Sequence, residues 1–266
     1  SHPRGWNTDI SHQRKLRSYE VEMHWYEGLA KRADDSCKIP KLIHSWQQEG
    51  DMLMVMEDLN TCGFPERKSA VNLAEIKTCL RWLANFHGTY MMQKPDGLWK
   101  IGSYWHLDTR PEELQVMQDL ELKRAAHAID NKLNGAKYQT IIHGDAKLAN
   151  FCFSKDGSLV AAVDFQYVGG GCGIKDVSYF LSSCLLEKDC EQYEEELLNH
   201  YFSVLKSNLD NSSLLINTQE VINEWTMLYK YAWADFYRFL DGWSPGHWKM
   251  HDYSKRMKVE VLKELE

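Results

Sequence analysis

Apolar residues recur mostly at three- and four-residue steps over residues 9–31. Ile10, Leu16, Tyr19, Met23, Tyr26 and Ala30 mark one helical face, and Asp9 or Thr8 supplies the cap. The period then shortens. Residues 41–47 and 52–56 are strand-like and flank the polar turn 48–51, which predicts a hairpin. Residues 59–68, with Gly63 and Pro65, read as a linker. A long helix follows over 69–91, with Leu73, Ile76, Leu80, Leu83, Ala84 and His87 on one face. After a loop with Pro95 and Gly97, another helical segment covers 111–132. Then the pattern changes again. Ile141 and Ile142 begin a short strand, and 151–154 and 159–163 are two more around the turn Lys155-Asp156-Gly157-Ser158. From Asp176 onward the pattern is helical, with breaks near 208–213 and 242–246. The chain shows no internal repeat. The plan is an α+β protein: a small mixed part over residues 1–59 and a mainly helical part over 60–266 with a short β-insert.

Composition narrows the class. Apolar residues make up 44% and charged residues 26%, so the chain is neither disordered nor a small disulfide scaffold. Lys and Arg total 31 against 38 Asp and Glu, and the net charge of −7 argues against a non-specific nucleic-acid binder. No apolar run approaches the roughly 18 residues of a membrane span. The seven cysteines are odd in number and none is spaced CxxC, which predicts reduced, mostly buried thiols and a cytoplasmic protein. The histidines form no zinc motif.

The informative stretch runs from His143 to Asp176, HGDAKLANFCFSKDGSLVAAVDFQYVGGGCGIKD. Asp145 and Asp164 stand at the ends of short strands, and Asn150 lies five residues after the first. A hairpin between them folds Asp164 back beside Asn150. That pairs a carboxylate with an amide oxygen, ligands suited to Mg²⁺. Asp145 is left to face a hydroxyl, and Lys147 is placed to meet a transferring phosphoryl group as a point charge. A base, two metal ligands and a cation are the parts of phosphoryl transfer to an alcohol. The run Gly169–Gly173 lacks the Lys-Ser/Thr that follows a phosphate-binding loop, so it is expected to be a flexible connection.

These residues resemble a known superfamily, the aminoglycoside phosphotransferase/choline kinase group, which shares its core with protein kinases. HGDAKLAN resembles its HGDxxxxN catalytic loop, and VDFQ its metal segment. The DFQ ending and the later Asp176-Val177 and Tyr179-Phe180-Leu181 are most similar to the ecdysteroid-kinase-like branch. So are the hinge Met56-Glu57-Asp58-Leu59, the helix motif Leu83-Ala84-Asn85-Phe86-His87, and Glu22 with Trp25-Tyr26. The resemblance spans residues 9–250. It implies a protein-kinase-like two-lobe fold that uses ATP and Mg²⁺ to phosphorylate the hydroxyl of a small molecule. Asp145 then corresponds to the catalytic base, Asn150 and Asp164 to the Mg²⁺ ligands, and Lys147 to a catalytic-loop lysine. His143 and Asp176 correspond to supports of that loop. Glu57, Asp58 and Leu59 correspond to the nucleotide hinge.

Such folds also need a Gly-rich loop and a strand lysine paired to a helix glutamate. Glu22 matches the glutamate, with Glu20 second. Only eight residues precede the helix, none of them Lys, and Lys15 lies inside it. An N-terminally truncated small lobe is therefore expected, with weak or no activity from these residues alone; a catalytically dead binding module is the alternative. Only 11 positions separate Phe165 from Asp176, too few for the activation segment of a protein kinase, which favours a small acceptor. The aromatic stretch 225–248 is the candidate acceptor wall. It suits a sterol-like alcohol or, with an aspartate, the cation of an amino alcohol. Trp225, Tyr229, Trp233 (or Ala232), Phe236 and Leu240 fall on a helical stripe that reads as core. Trp233, Asp235, Tyr237 and Trp243 are the substrate candidates.

Overall fold

The structure is a computed structural model that describes residues 9–48 and 51–266. The predicted hairpin is present. β1 (Leu42–Gln48) pairs antiparallel with β2 (Asp51–Met56), with Trp46 opposite Leu53 and Ser45 opposite Met54; positions 49–50 of its turn lie outside the described residues. Strand alternation sends Met52, Met54 and Met56 inward and leaves Leu53 and Val55 exposed. Ile43 and Trp46 are exposed too.

The first helix, α1 (Asp9–Glu27), differs from the sequence pattern in its first half. Ile10, Leu16 and Tyr19 are exposed, while Ser18 is buried and Arg14 reaches the Thr109 carbonyl at 2.8 Å. This half lies against the polar loop around residues 97–109 and Gln166, so hydrogen bonds select its face. The second half follows the apolar rule. Val21, Met23, Trp25 and Tyr26 are buried, and Trp25 stacks on Phe165 with centroids 5.1 Å apart.

The long helix predicted over 69–91 is α2 (Leu73–Thr89). Asn72 accepts from Glu75 N at 3.0 Å and Glu75 answers to Asn72 N at 2.9 Å, a capping box that fixes the start. The segment predicted over 111–132 divides into α3 (Pro111–Gln115) and α4 (Leu120–Asn134), because Asp119 caps the latter from its side chain. The linker holds a two-residue strand, β3 (Glu66–Arg67), which pairs with β5 (Phe151–Phe153); β5 pairs in turn with β6 (Val160–Ala162).

β4 (Thr140–Ile142) has an unexpected partner. Gly169–Gly171 is a buried strand, β7, with Ile141 opposite Gly170. It is not a flexible connection. A Cβ on Gly169 would sit 2.2 Å from the Trp99 carbonyl oxygen, so only glycine lets the 99–102 loop close over it. The C-terminal helices are α5 (Ile174–Cys184), α6 (Glu187–Asp210), α7 (Thr218–Trp243) and α8 (Asp252–Leu265). Among the described residues no helix is long and apolar enough to cross a membrane, and all seven cysteines are free thiols, five of them buried.

Candidate active site

The loop after β4 is built on one buried carboxylate. Asp176, in the first turn of α5 and fully buried, accepts from His143 N at 2.6 Å and Gly144 N at 3.0 Å, and meets His87 Nε2 at 3.2 Å. Three buried donors thus share two oxygens. His87 is held from its other side by Tyr201 at 2.8 Å. Gly144 has φ of 79°, and a Cβ there would lie 2.1 Å from the Tyr167 carbonyl oxygen, so the loop turns where only glycine fits.

His143 supports rather than faces the cleft. Its Nδ1 accepts from Asp145 N at 3.2 Å, so Nε2 carries the proton and donates to the Val163 carbonyl at 3.0 Å. The ring packs on Phe165 with centroids 4.5 Å apart. One imidazole therefore ties the Asp145 loop to the strand leading into Asp164.

Asp145 is 4% exposed. Its Oδ2 takes Lys147 Nζ at 2.7 Å and Asn150 Nδ2 at 3.2 Å, and its Oδ1 takes the Tyr179 hydroxyl at 3.1 Å. Burial pushes this carboxyl above its ordinary range, against the opposing pull of Lys147. Burial also pushes the Tyr179 phenol well above its usual value, so it stays a donor.

The hairpin does bring Asn150 to Asp164. Val163 N donates to the Asn150 carbonyl at 3.0 Å, and Phe151 pairs with Ala162. Asn150 spends its Nδ2 on Asp145, which leaves Oδ1 without a donor among the described residues. No described residue donates a hydrogen bond to the Asp164 carboxylate either, and Asp164 is held at φ of 68°, a left-handed conformation that Asp tolerates better than most residues. One carboxylate and one amide oxygen, both unengaged, fit a hard cation that completes its shell with water and phosphate. No three His, Cys, Asp or Glu side chains converge into a metal group among the described residues.

Glu22 reaches the same centre from α1. Phe165 N donates to its Oε1 at 3.0 Å. Burial, with Asp164 nearby, raises the carboxyl to about 7. The folded state therefore favours the protonated acid. That contribution is complete below the ordinary value of 4.5 and is lost as pH rises through about 7. In metal-free protein, Glu22→Gln is expected to be more stable than wild type at pH 8, by at most about 3 kcal/mol, and so to melt higher, and to melt level with it at pH 4. Thermal melts at the two pH values in chelator check this; an equal gap at both contradicts it.

The hinge residues are placed differently. Glu57 is held by Lys38 Nζ at 2.8 Å, which lowers its carboxyl below the usual range. Asp58 turns back to accept from Asn60 N at 2.9 Å, and Leu59 is buried against Phe64 and Cys152.

The aromatic helix α7 divides by face. Trp233 is buried against Tyr253 of α8, and Lys258 of α8 lies over the Tyr237 ring. Asp235 spends Oδ1 on Arg238 at 2.8 Å and Oδ2 on the Trp105 indole at 2.8 Å. Asp241 accepts from Gln118 N and Asp119 N. The other face carries Phe236, Phe239 and Trp243, with Trp243 stacked on Phe239 at 5.7 Å. Phe236 packs on Tyr179, 4.8 Å between centroids, and so reaches the neighbourhood of Asp145. The sequence reading missed the contact of Tyr179 with Asp145; its place one turn after Asp176 on α5 was the available signal.

The mixed α+β fold, with few strands and many helices, carries the HGD loop and DFQ segment of the kinase-like small-molecule phosphotransferases. The profile of the ecdysteroid kinase-like family matches residues 9–98 and 100–213, and the chain belongs to that family. No curated protein matches the chain. Among solved structures, a microcompartment-associated aminopropanol kinase is similar at 16% identity, over 93% of this chain and 78% of that one, with a TM-score of 0.52. The GDP complex of wild-type aminoglycoside 2'-phosphotransferase-IIIa is similar at 12% identity, over 96% of this chain and 84% of that one, with a TM-score of 0.50. At these identities the likeness establishes the fold.

Proposed function

We propose that this chain carries the catalytic centre of an ATP-dependent kinase that phosphorylates the hydroxyl of a small molecule. One observation carries the reading: a buried carboxylate, Asp145, touches Asn150, whose backbone carbonyl bonds the N–H of Val163, the residue before Asp164. Asp145 is the base. Its Oδ1 has one hydrogen bond where Oδ2 has two, so the acceptor proton goes to Oδ1. Its raised proton affinity favours that step. Tyr179 and Lys147 fix the carboxylate's orientation. Asn150 and Asp164 are the residues to hold Mg²⁺, which supplies charge neutralisation on the phosphate oxygens. Glu57, Asp58 and Leu59 border the nucleotide base. Glu22 corresponds to the acid that pairs with a phosphate-gripping lysine; among the described residues Lys15 acts on its charge without a hydrogen bond to it.

In this reading residues 1–59 belong to the smaller lobe and 60–266 to the larger. The exposed apolar face of the hairpin, Ile43, Trp46, Leu53 and Val55, supports that division as a surface for further strands. The test is a phosphoryl-transfer screen of the longest natural chain containing these residues against sterols, amino alcohols and sugars. Transfer to one alcohol class is expected. Nucleotide hydrolysis indifferent to every alcohol contradicts it, and absence of Mg²⁺-dependent nucleotide binding identifies a dead binding module instead.

A further inference from the structure

The segment after α7 brings a lysine into the aromatic face beside Asp145. Lys249 Nζ lies 5.2 Å from the Tyr179 ring centroid, 5.2 Å from that of Phe236 and 5.6 Å from that of Trp248. Three rings around one ammonium form the box that elsewhere holds a cationic ligand. Here the chain's own side chain occupies it. Tyr179, one wall of the box, is the residue whose hydroxyl holds Asp145 Oδ1.

Lys249 has no hydrogen-bonded anion; Cys184 and the Asp145 carboxylate act on its charge only from beyond hydrogen-bonding distance. Among the described residues no carboxylate or carbonyl oxygen lies within hydrogen-bonding distance of its Nζ. The two aspartates in the second half of α7 are engaged elsewhere, Asp235 by Arg238 and Trp105, Asp241 by backbone N–H groups. Of the other cations nearby, Lys147 pairs with Asp145, and Arg110 lies 3.4 Å from Glu113 and bonds the Tyr104 hydroxyl through one guanidinium nitrogen, while its buried Nε has no hydrogen-bond partner. Burial lowers the Lys249 ammonium to about 8, the behaviour of a cation short of compensation. A bound oxyanion would supply it.

We propose that Lys249 is a specificity residue of the acceptor site, filling the aromatic box in place of a substrate ammonium and selecting alcohols that carry an acidic oxygen group over amino alcohols. The inference rests on the kinase reading for the word acceptor, but the recognition it describes is measurable without catalysis.

The probes are three aryl alcohols that differ in one group: 4-(hydroxymethyl)benzoate, its carboxamide and 4-(hydroxymethyl)benzylamine. Binding is followed by tryptophan fluorescence, since Trp248 is part of the box, and phosphorylation is followed in parallel in the longest natural chain with Mg·ATP. The wild type is expected to bind the carboxylate most tightly and the amine least. Lys249→Met should weaken the carboxylate about tenfold and tighten the amine by a similar factor, with the amide changed less than about threefold. Lys249→Arg should keep the wild-type order, which separates charge from packing and confirms that the segment still folds. A binding order that Lys249→Met leaves unchanged, or no binding by any probe, overturns the inference. If the order shifts as expected while no probe is phosphorylated, the inference stands, and the kinase reading is decided separately by the wider alcohol screen.

Discussion

Asp145→Asn is expected to lower kcat by about 10³-fold, within the 10²–10⁴ that a positioned general base contributes. The protein should melt at the same temperature or higher. Folding already disfavours the charged form of this buried carboxyl, so removing the charge at neutral pH relieves a cost rather than adding one. With its oxygen in the place of Oδ2 the amide still accepts from Asn150 and half-exposed Lys147, and its NH₂ donates to the Tyr179 hydroxyl oxygen, so the variant gives up the ion pair rather than the hydrogen bonds. A melting curve and a coupled kinetic assay on the same preparation check both halves. Equal turnover by the two proteins removes Asp145 from the chemistry. A large drop in melting temperature would make it a structural residue instead.

Asp176→Ala is expected to act the other way, on stability first. It strands the N–H groups of His143 and Gly144 and one ring nitrogen of His87, all buried. Each stranded donor costs about 1–3 kcal/mol, and relaxation recovers part, so a loss of about 3–5 kcal/mol follows. That is a large share of the 5–15 kcal/mol available to a typical domain. Urea titration of the wild type and the variant reads it directly. A loss under about 1 kcal/mol would show that the loop is held by other contacts. Where the variant does fold, its kcat should fall too, because Asp145 follows Gly144 by one peptide.

The candidate centre was legible because its geometry is short-range. Nineteen residues carry the chain from Asp145 through a two-strand hairpin to Asp164, and hairpin register alone brings Asn150 against Val163. Family resemblance then named roles that spacing alone left open. Three features were hidden for physical reasons. Gly169–Gly171 forms a strand with no side chains to alternate, and its need for glycine comes from a loop some 70 residues earlier in the chain. The first half of α1 chose its face by hydrogen bonds to Thr109 and Gln166, which leave no apolar periodicity. Aromatic density on α7 did not show which ring faces where. Steps of about 100° per residue send Trp233 and Tyr237 toward α8 but Phe236 and Phe239 toward Tyr179. Lys249 lies in irregular chain beyond that helix, where no period predicts its direction.

The central claim is that Asp145, Asn150 and Asp164 form one phosphoryl-transfer centre. Its most direct measurement follows the γ-phosphate of ATP into an alcohol phosphomonoester by ³¹P NMR. The longest natural chain containing these residues is compared with its Asp145→Asn and Asp164→Asn variants, with and without Mg²⁺. The account predicts a phosphomonoester from the wild type that needs Mg²⁺ and falls by at least about 10²-fold in each variant. A phosphomonoester formed equally by all three proteins, or by none while Mg·ATP is bound, would contradict it.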